Sequence, residues 1–119
     1  MKRALVVDDD ARILSVTERW LLAAGYEVVT SGDFKDARAE IQINVPEVVV
    51  LDVRLGEFNG IQLGILARQA RSDVHVVIMS SWDDPVLRRE TAQLGGAFVH
   101  KPFRSAELLD AVHGETAPL

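Results

Sequence analysis

Five short apolar runs, each followed by a longer stretch of helical period, restrict the fold of this 119-residue chain more than any other feature. The runs are Ala4–Val7, Tyr26–Thr30, Val48–Leu51, Val74–Met79 and Ala97–Val99. Most are rich in Val or Ile and lack polar alternation, the pattern of strands in a parallel sheet covered on both faces.

The intervening segments predict helices at Ala11–Ala24, Asp33–Asn44, Gly60–Arg71, Pro85–Leu94 and Ser105–His113. In the first, Ile13, Leu14, Thr17, Trp20, Leu21 and Ala24 share one broad face, which is expected to pack inward. Asp10 is placed to cap the first free amides of that helix, and Gly25 to stop it. Asp83 or Asp84 caps the fourth helix, with Pro85 at its first position, where a missing amide hydrogen costs nothing.

Strand-then-helix units repeated five times require parallel pairing through right-handed crossovers, hence a single doubly wound α/β domain. Ligands in that architecture bind beyond the carboxyl ends of the strands. The length suits one domain. No cysteine is present, which excludes disulfides, thiolate metal sites and a cysteine nucleophile. The formal charge of −5, without a long basic run, argues against direct nucleic-acid binding by this domain. Only four apolar residues follow Met1-Lys2-Arg3 before the acids begin, far short of a membrane span or a secretory leader, so a cytoplasmic location is expected.

The residues just past the apolar runs carry the chemistry: Asp8 and Asp9 after the first, Asp52 after the third, Ser80 after the fourth and Lys101 after the fifth. The topology brings all of them to one edge of the sheet. Crowded carboxylates repel one another, and a hard divalent cation such as Mg²⁺ offsets that repulsion. Asp9 and Asp52 are the candidate direct ligands, and Asp8 a ligand through water or an orienting group. A solvated, helix-capping turn is the alternative for the Asp8-Asp9-Asp10 run, and the preferred reading for Asp10. A carboxylate leaving a buried strand, as Asp52 does, can attack phosphorus. Lys101 supplies a mobile positive charge and Ser80 a hydroxyl, the surroundings that phosphoryl transfer needs.

Val6-Val7-Asp8-Asp9-Asp10, Val50-Leu51-Asp52-Val53-Arg54-Leu55 with Asn59-Gly60 downstream, Ile78-Met79-Ser80-Ser81 and Lys101-Pro102-Phe103 together resemble the response-regulator receiver domain of bacterial two-component systems. The resemblance spans nearly the whole chain in order. It implies a flavodoxin-like sheet of order 2-1-3-4-5, a receiver domain over residues 1–113, and a tail or linker start at 114–119. It further implies Asp52 as phosphoacceptor, Asp8 and Asp9 as the acidic pair, Mg²⁺ as cofactor, and the backbone carbonyl of Arg54 as a further metal ligand. Lys101 and Ser80 match the lysine and the switch hydroxyl, Phe98 the switch aromatic, and Lys101-Pro102 a cis peptide bond.

On this reading a sensor histidine kinase or phosphotransfer protein phosphorylates Asp52. The domain then signals to an output domain or partner through its fourth helix, fifth strand and fifth helix; a homodimer is compatible with this. It catalyses only its own modification and is not an enzyme acting on a separate substrate. Gly56, in place of a common proline, is expected to loosen the following loop, and Ser81 to narrow access beside the switch hydroxyl. Arg54 and Trp82 stand where they could tune lifetime or partner contact, with a partly buried packing role the alternative for Trp82. An aspartate-nucleophile phosphatase would place a second acid where Arg54 stands. A flavin carrier would place amides where the three acids stand. A degenerate receiver acting only as an interaction module is the remaining alternative.

Overall fold

The computed structural model describes residues 2–114. The elements are β1 (Arg3–Val7), α1 (Ala11–Ala23), β2 (Glu27–Ser31), α2 (Phe34–Ile43), β3 (Val48–Asp52), β4 (Arg54–Leu55), β5 (Phe58–Asn59), α3 (Gly60–Ala70), β6 (His75–Ser80), α4 (Pro85–Gln93), β7 (Ala97–His100) and α5 (Ser105–Val112). Five strands form one parallel sheet of order β2-β1-β3-β6-β7, and β4 with β5 forms a separate two-stranded antiparallel ribbon. Numbered along the five-stranded core alone, the order is the expected 2-1-3-4-5.

Alternate residues of each strand feed two hydrophobic layers. Leu5, Val7, Val49, Leu51, Val76 and Ile78 pack with Ala37 and Ile41 of α2, Leu63 and Ala67 of α3, and Leu87 of α4. Ala4, Val6, Val48, Val50, Val77 and Met79 pack on the other face with Leu21 of α1 and Leu108 and Val112 of α5. Val49, Val50 and Leu51 are fully buried. Each contributes about 1.5–3 kcal/mol relative to exposure, which anchors β3 at the sheet centre and holds its last residue, Asp52, at a fixed depth.

The helix ends follow the anticipated chemistry. Asp10 caps α1 by accepting from the Arg12 amide, and Asp84 rather than Asp83 caps α4, accepting from Val86. Gly25 stops α1 with a left-handed φ of 95°. Boundaries move by a residue or two: β2 begins at Glu27 instead of Tyr26 and β6 at His75 instead of Val74. Thr17 and Leu21 of the α1 face are buried, whereas Ala24 is the exposed C-cap rather than part of that face. The expectation of strands covered on both faces fails for β2, an edge strand with Val29 and Thr30 exposed. Of the expected tail at 114–119, all but Gly114 lies outside the described residues.

The β4–β5 ribbon overturns one expectation. Leu55 pairs with Phe58, so only Gly56 and Glu57 form the loop. Gly56 adopts φ 63° and Glu57 does not have positive φ, the geometry of a tight two-residue hairpin with glycine first. Gly56 therefore fixes the turn rather than loosening it.

Candidate functional site

The carboxyl ends of β1, β3 and β6 and the turn after β7 meet at one edge of the sheet. In-register pairing of Val50 with Val6 and of Asp52 with Met79 sets the ends of β1, β3 and β6 level. The Val53 amide continues the ladder by donating to the Met79 carbonyl at 3.0 Å, and the Lys101 amide donates to the Ser80 carbonyl at 2.8 Å. The Lys101–Pro102 peptide is cis, as anticipated.

Side-chain oxygens of Asp8, Asp9 and Asp52 lie within 4.8 Å of one another. Asp8 is fully buried, Asp52 is nearly so, and Asp9 is exposed. Both oxygens of Asp8 are engaged: Oδ1 accepts the Asp10 amide at 2.9 Å, and Oδ2 accepts Lys101 Nζ at 2.6 Å. Lys101 Nζ also stands 3.3 Å from Asp52 Oδ1. Asp10 lines the same pocket, but its carboxylate is turned to the Arg12 amide and guanidinium, and the amide bond foremost holds its pKa below the ordinary value.

Electrostatics mark Asp52 as the strained member. Burial, then the neighbouring Asp8 charge, push its pKa up to about 6, against the charge and hydrogen bond of Lys101 and the Arg54 amide. Burial works against the Lys101 ammonium, yet its hydrogen bond to Asp8 and the charges of Asp52 and Asp8 raise its pKa overall. Three carboxylates against one ammonium leave two negative charges uncompensated when all are ionised. An all-oxygen set with that deficit fits a hard divalent cation such as Mg²⁺. Asp9 and Asp52 retain free lone pairs for direct ligation, whereas Asp8 is already committed to Asp10 and Lys101.

The pocket has a volume of about 300 Å³ and is also lined by Arg54, Ser81 and Trp82. Ser80 is not among its lining residues. That side chain is fully buried, its Oγ accepts the Trp82 amide at 2.9 Å, and it borders an adjoining cavity beneath the hairpin and α4. Trp82 is 60% exposed with the Arg54 guanidinium 5.4 Å from its ring centre, so the partly buried packing role does not hold. Phe98 is half-buried against the first core layer, with the Arg88 guanidinium 4.4 Å from its ring centre and Arg88 in turn paired with Asp83.

Gly60 is a position packed against the site that the sequence reading left without a role. A Cβ there would collide with the Asp52 carbonyl oxygen, so only glycine lets α3 start against the end of β3. Asn59 caps α3 by accepting from Ile61, and the Gly60 amide donates to the Val53 carbonyl at 2.8 Å. The adjacent Asn-Gly pair was the available signal.

A family model for the response regulator receiver domain matches residues 4–113. The chain belongs to the response regulator receiver domain family. This receiver domain is 35% identical over 113 residues to the transcriptional regulatory protein PrrA of Mycobacterium tuberculosis, a match covering 92% of this chain and 48% of PrrA. It is 29% identical over 108 residues to the alkaline phosphatase synthesis transcriptional regulatory protein PhoP of Bacillus subtilis, covering 90% of this chain and 45% of PhoP. The receiver domain thus spans about half the length of these relatives. Among solved structures it superposes on a CheY-like receiver domain protein from Methanospirillum hungatei with a TM-score of 0.87, at 25% identity and with 95% and 91% of the two chains covered. The chemotaxis protein CheY4 of Vibrio cholerae gives a TM-score of 0.85 at 26% identity, with coverage of 95% and 97%.

Proposed function

We propose that this receiver domain is a phosphorylation-activated switch of a two-component system, with Asp52 as the phosphoacceptor. One observation carries the reading: a nearly buried Asp52 carboxylate that faces Asp8, Asp9 and the Lys101 ammonium at the mouth of an open pocket. Asp9, Asp52 and the Arg54 backbone carbonyl would hold Mg²⁺, with Asp8 orienting its water. The ion, when bound, neutralises charge that develops on the transferring phosphoryl group.

A carboxylate oxygen of Asp52 attacks the phosphorus of a phosphohistidine presented by a sensor kinase or phosphotransfer protein. The O–P bond forms as the N–P bond breaks, and the departing imidazole takes its proton from solvent. Lys101 then turns its ammonium toward a phosphoryl oxygen, an exchange favoured by its existing position between Asp8 and Asp52. Hydrolysis returns inorganic phosphate and the free carboxylate. The domain thus catalyses its own modification and turns over no separate substrate.

Ser80 Oγ accepts the Trp82 amide, which leaves its hydroxyl hydrogen for a phosphoryl oxygen at Asp52 to accept, and the turn of Ser80 toward that oxygen opens space toward which Phe98 moves. The face of α4, β7 and α5 then differs between the two states and carries the signal. PrrA and PhoP are named as transcriptional regulators, which favours a gene-regulatory output for this domain as well, acting from the cytoplasm. No helix among the described residues is long and apolar enough to cross a membrane.

Intact mass measured after incubation with acetyl phosphate tests the proposal. The native chain is expected to gain one phosphoryl group in Mg²⁺ and none in EDTA, and Asp52→Asn to gain none in either. Undiminished uptake by the variant overturns the assignment.

A further inference from the structure

Four of the seven large hydrophobic side chains exposed among the described residues line one groove, which separates it from the scattered apolar exposure of an ordinary surface. Phe58, Trp82 and Val86 border a depression of about 440 Å³ between the β4–β5 hairpin and α4. Ile65 borders a second of about 250 Å³ between α3 and α4, and Glu90 lines both. The remaining three, Leu22, Val29 and Ile43, lie elsewhere, on or at the end of α1, on β2 and on α2.

The rim of this groove is acidic. Glu57, Asp84 and Glu90 line it, and its one cation, Arg54, is held over the Trp82 ring. Along α4 the groove runs beside nine residues, a length of about 14 Å at the helical rise, which matches two to three turns of a docked helix. Phe98 is not among the lining residues, so the groove lies on the α3 side of α4 rather than over β7, although Ser80 borders its larger depression.

We infer that the groove between the β4–β5 hairpin, α3 and α4 docks a short amphipathic helix of a partner protein, its apolar side chains flanked by Lys or Arg. Apolar anchors from successive turns enter the two depressions, and the flanking cations meet Glu57 and Glu90. The groove adjoins the phosphoryl site through Arg54, Ser80 and Trp82, but the inference does not rest on phosphorylation: its test uses the unphosphorylated chain, so its failure leaves the reading of Asp52 standing.

The test is an amide ¹H–¹⁵N titration of the labelled chain with a designed Leu/Lys amphipathic peptide and with the same peptide carrying Glu for Lys. Saturable shifts confined to the neighbourhood of Phe58, Ile65, Trp82, Val86 and Glu90, with the Lys peptide alone, are expected. The surface substitutions Glu90→Lys and Val86→Asp should each weaken binding about tenfold, and Ile43→Asp on α2 should leave it unchanged. Shifts spread over other faces, equal binding of the Glu peptide, or indifference to Glu90→Lys and Val86→Asp would overturn the inference. Concentration-dependent shifts at the groove without peptide would assign it to a second copy of the chain and overturn it equally.

Discussion

Lys101 stands closer to Asp8 than to Asp52, its Nζ lying 2.6 Å from Asp8 Oδ2 and 3.3 Å from Asp52 Oδ1. The ammonium is thereby shared, with the fully buried carboxylate taking the shorter bond and Asp52 left with the weaker compensation. Burial and then the Asp8 charge raise the Asp52 pKa, which the charge and hydrogen bond of Lys101 only partly offset, and the division leaves the phosphoacceptor candidate with lone pairs to spare.

Removing the ammonium should cost stability and gain metal. Lys101→Ala leaves Asp8 buried without its charged donor, a loss of about 2 kcal/mol in metal-free buffer. The site also becomes more negative, so Mg²⁺ should bind several times more tightly. Urea unfolding and a Mg²⁺ titration of the variant check both; unchanged stability together with weaker Mg²⁺ binding would contradict the charge-sharing account.

Asp52 makes folding stability pH-dependent with a defined sign. Its folded pKa, about 6, exceeds the ordinary value of 3.8, so the folded chain binds the proton more tightly than the unfolded one. Stability tied to the neutral form is full below the ordinary value and is lost as pH rises through about 6. A shift of roughly two units corresponds to about 3 kcal/mol, reduced to about 1–2 kcal/mol by solvent screening at the pocket mouth. Asp52→Asn should therefore raise stability by that amount at neutral pH in EDTA, with the gain shrinking in acid and on addition of Mg²⁺. A variant less stable than the native chain at neutral pH would refute this.

Gly60 and Gly56 should differ in what a methyl group does to them. Gly60→Ala drives Cβ into the Asp52 carbonyl and is expected to cost about 3 kcal/mol and to impair phosphoryl uptake. Gly56→Ala meets open space and strains only the left-handed turn, at about 1–2 kcal/mol, with uptake retained. Denaturant midpoints and uptake assays on both variants separate the two effects.

Trp82 should report the site optically. Its ring lies beside Arg54 at the pocket, whereas Trp20 packs edge-on against Phe103 within the second core layer. In a Trp20→Phe background, millimolar Mg²⁺ is expected to change the emission of Trp82, and Asp9→Asn to weaken the response. Emission unaffected by Mg²⁺ would argue against a cation held at the acidic edge.

The doubly wound architecture and the convergence of Asp8, Asp9, Asp52 and Lys101 were legible because periodicity fixes the strand-then-helix order and parallel pairing brings the strand ends to one edge, whereas the sheet order was implied by the family resemblance alone. Contacts made across the fold were not. Nothing in the local sequence distinguishes Lys101 bonding to Asp8 from bonding to Asp52, since the choice depends on how deeply each carboxylate is buried. Two-residue strands are too short for periodicity, so the β4–β5 hairpin was invisible although Gly56 marked its turn. The stacking of Phe34 on Phe58, with centroids 4.4 Å apart, ties that hairpin to α2 and likewise has no sequence signature. Ser80 stood at the right strand end, but its orientation toward the Trp82 amide depends on the backbone path of the loop.

The central claim, that Asp52 accepts the phosphoryl group, is tested most directly by trapping the acyl phosphate. After incubation with acetyl phosphate and Mg²⁺, borohydride reduces an aspartyl phosphate to homoserine, which peptide mass spectrometry locates. The account predicts homoserine at position 52 alone, and none in EDTA. Homoserine at position 8 or 9, or no conversion while phosphoryl mass is present, would contradict it.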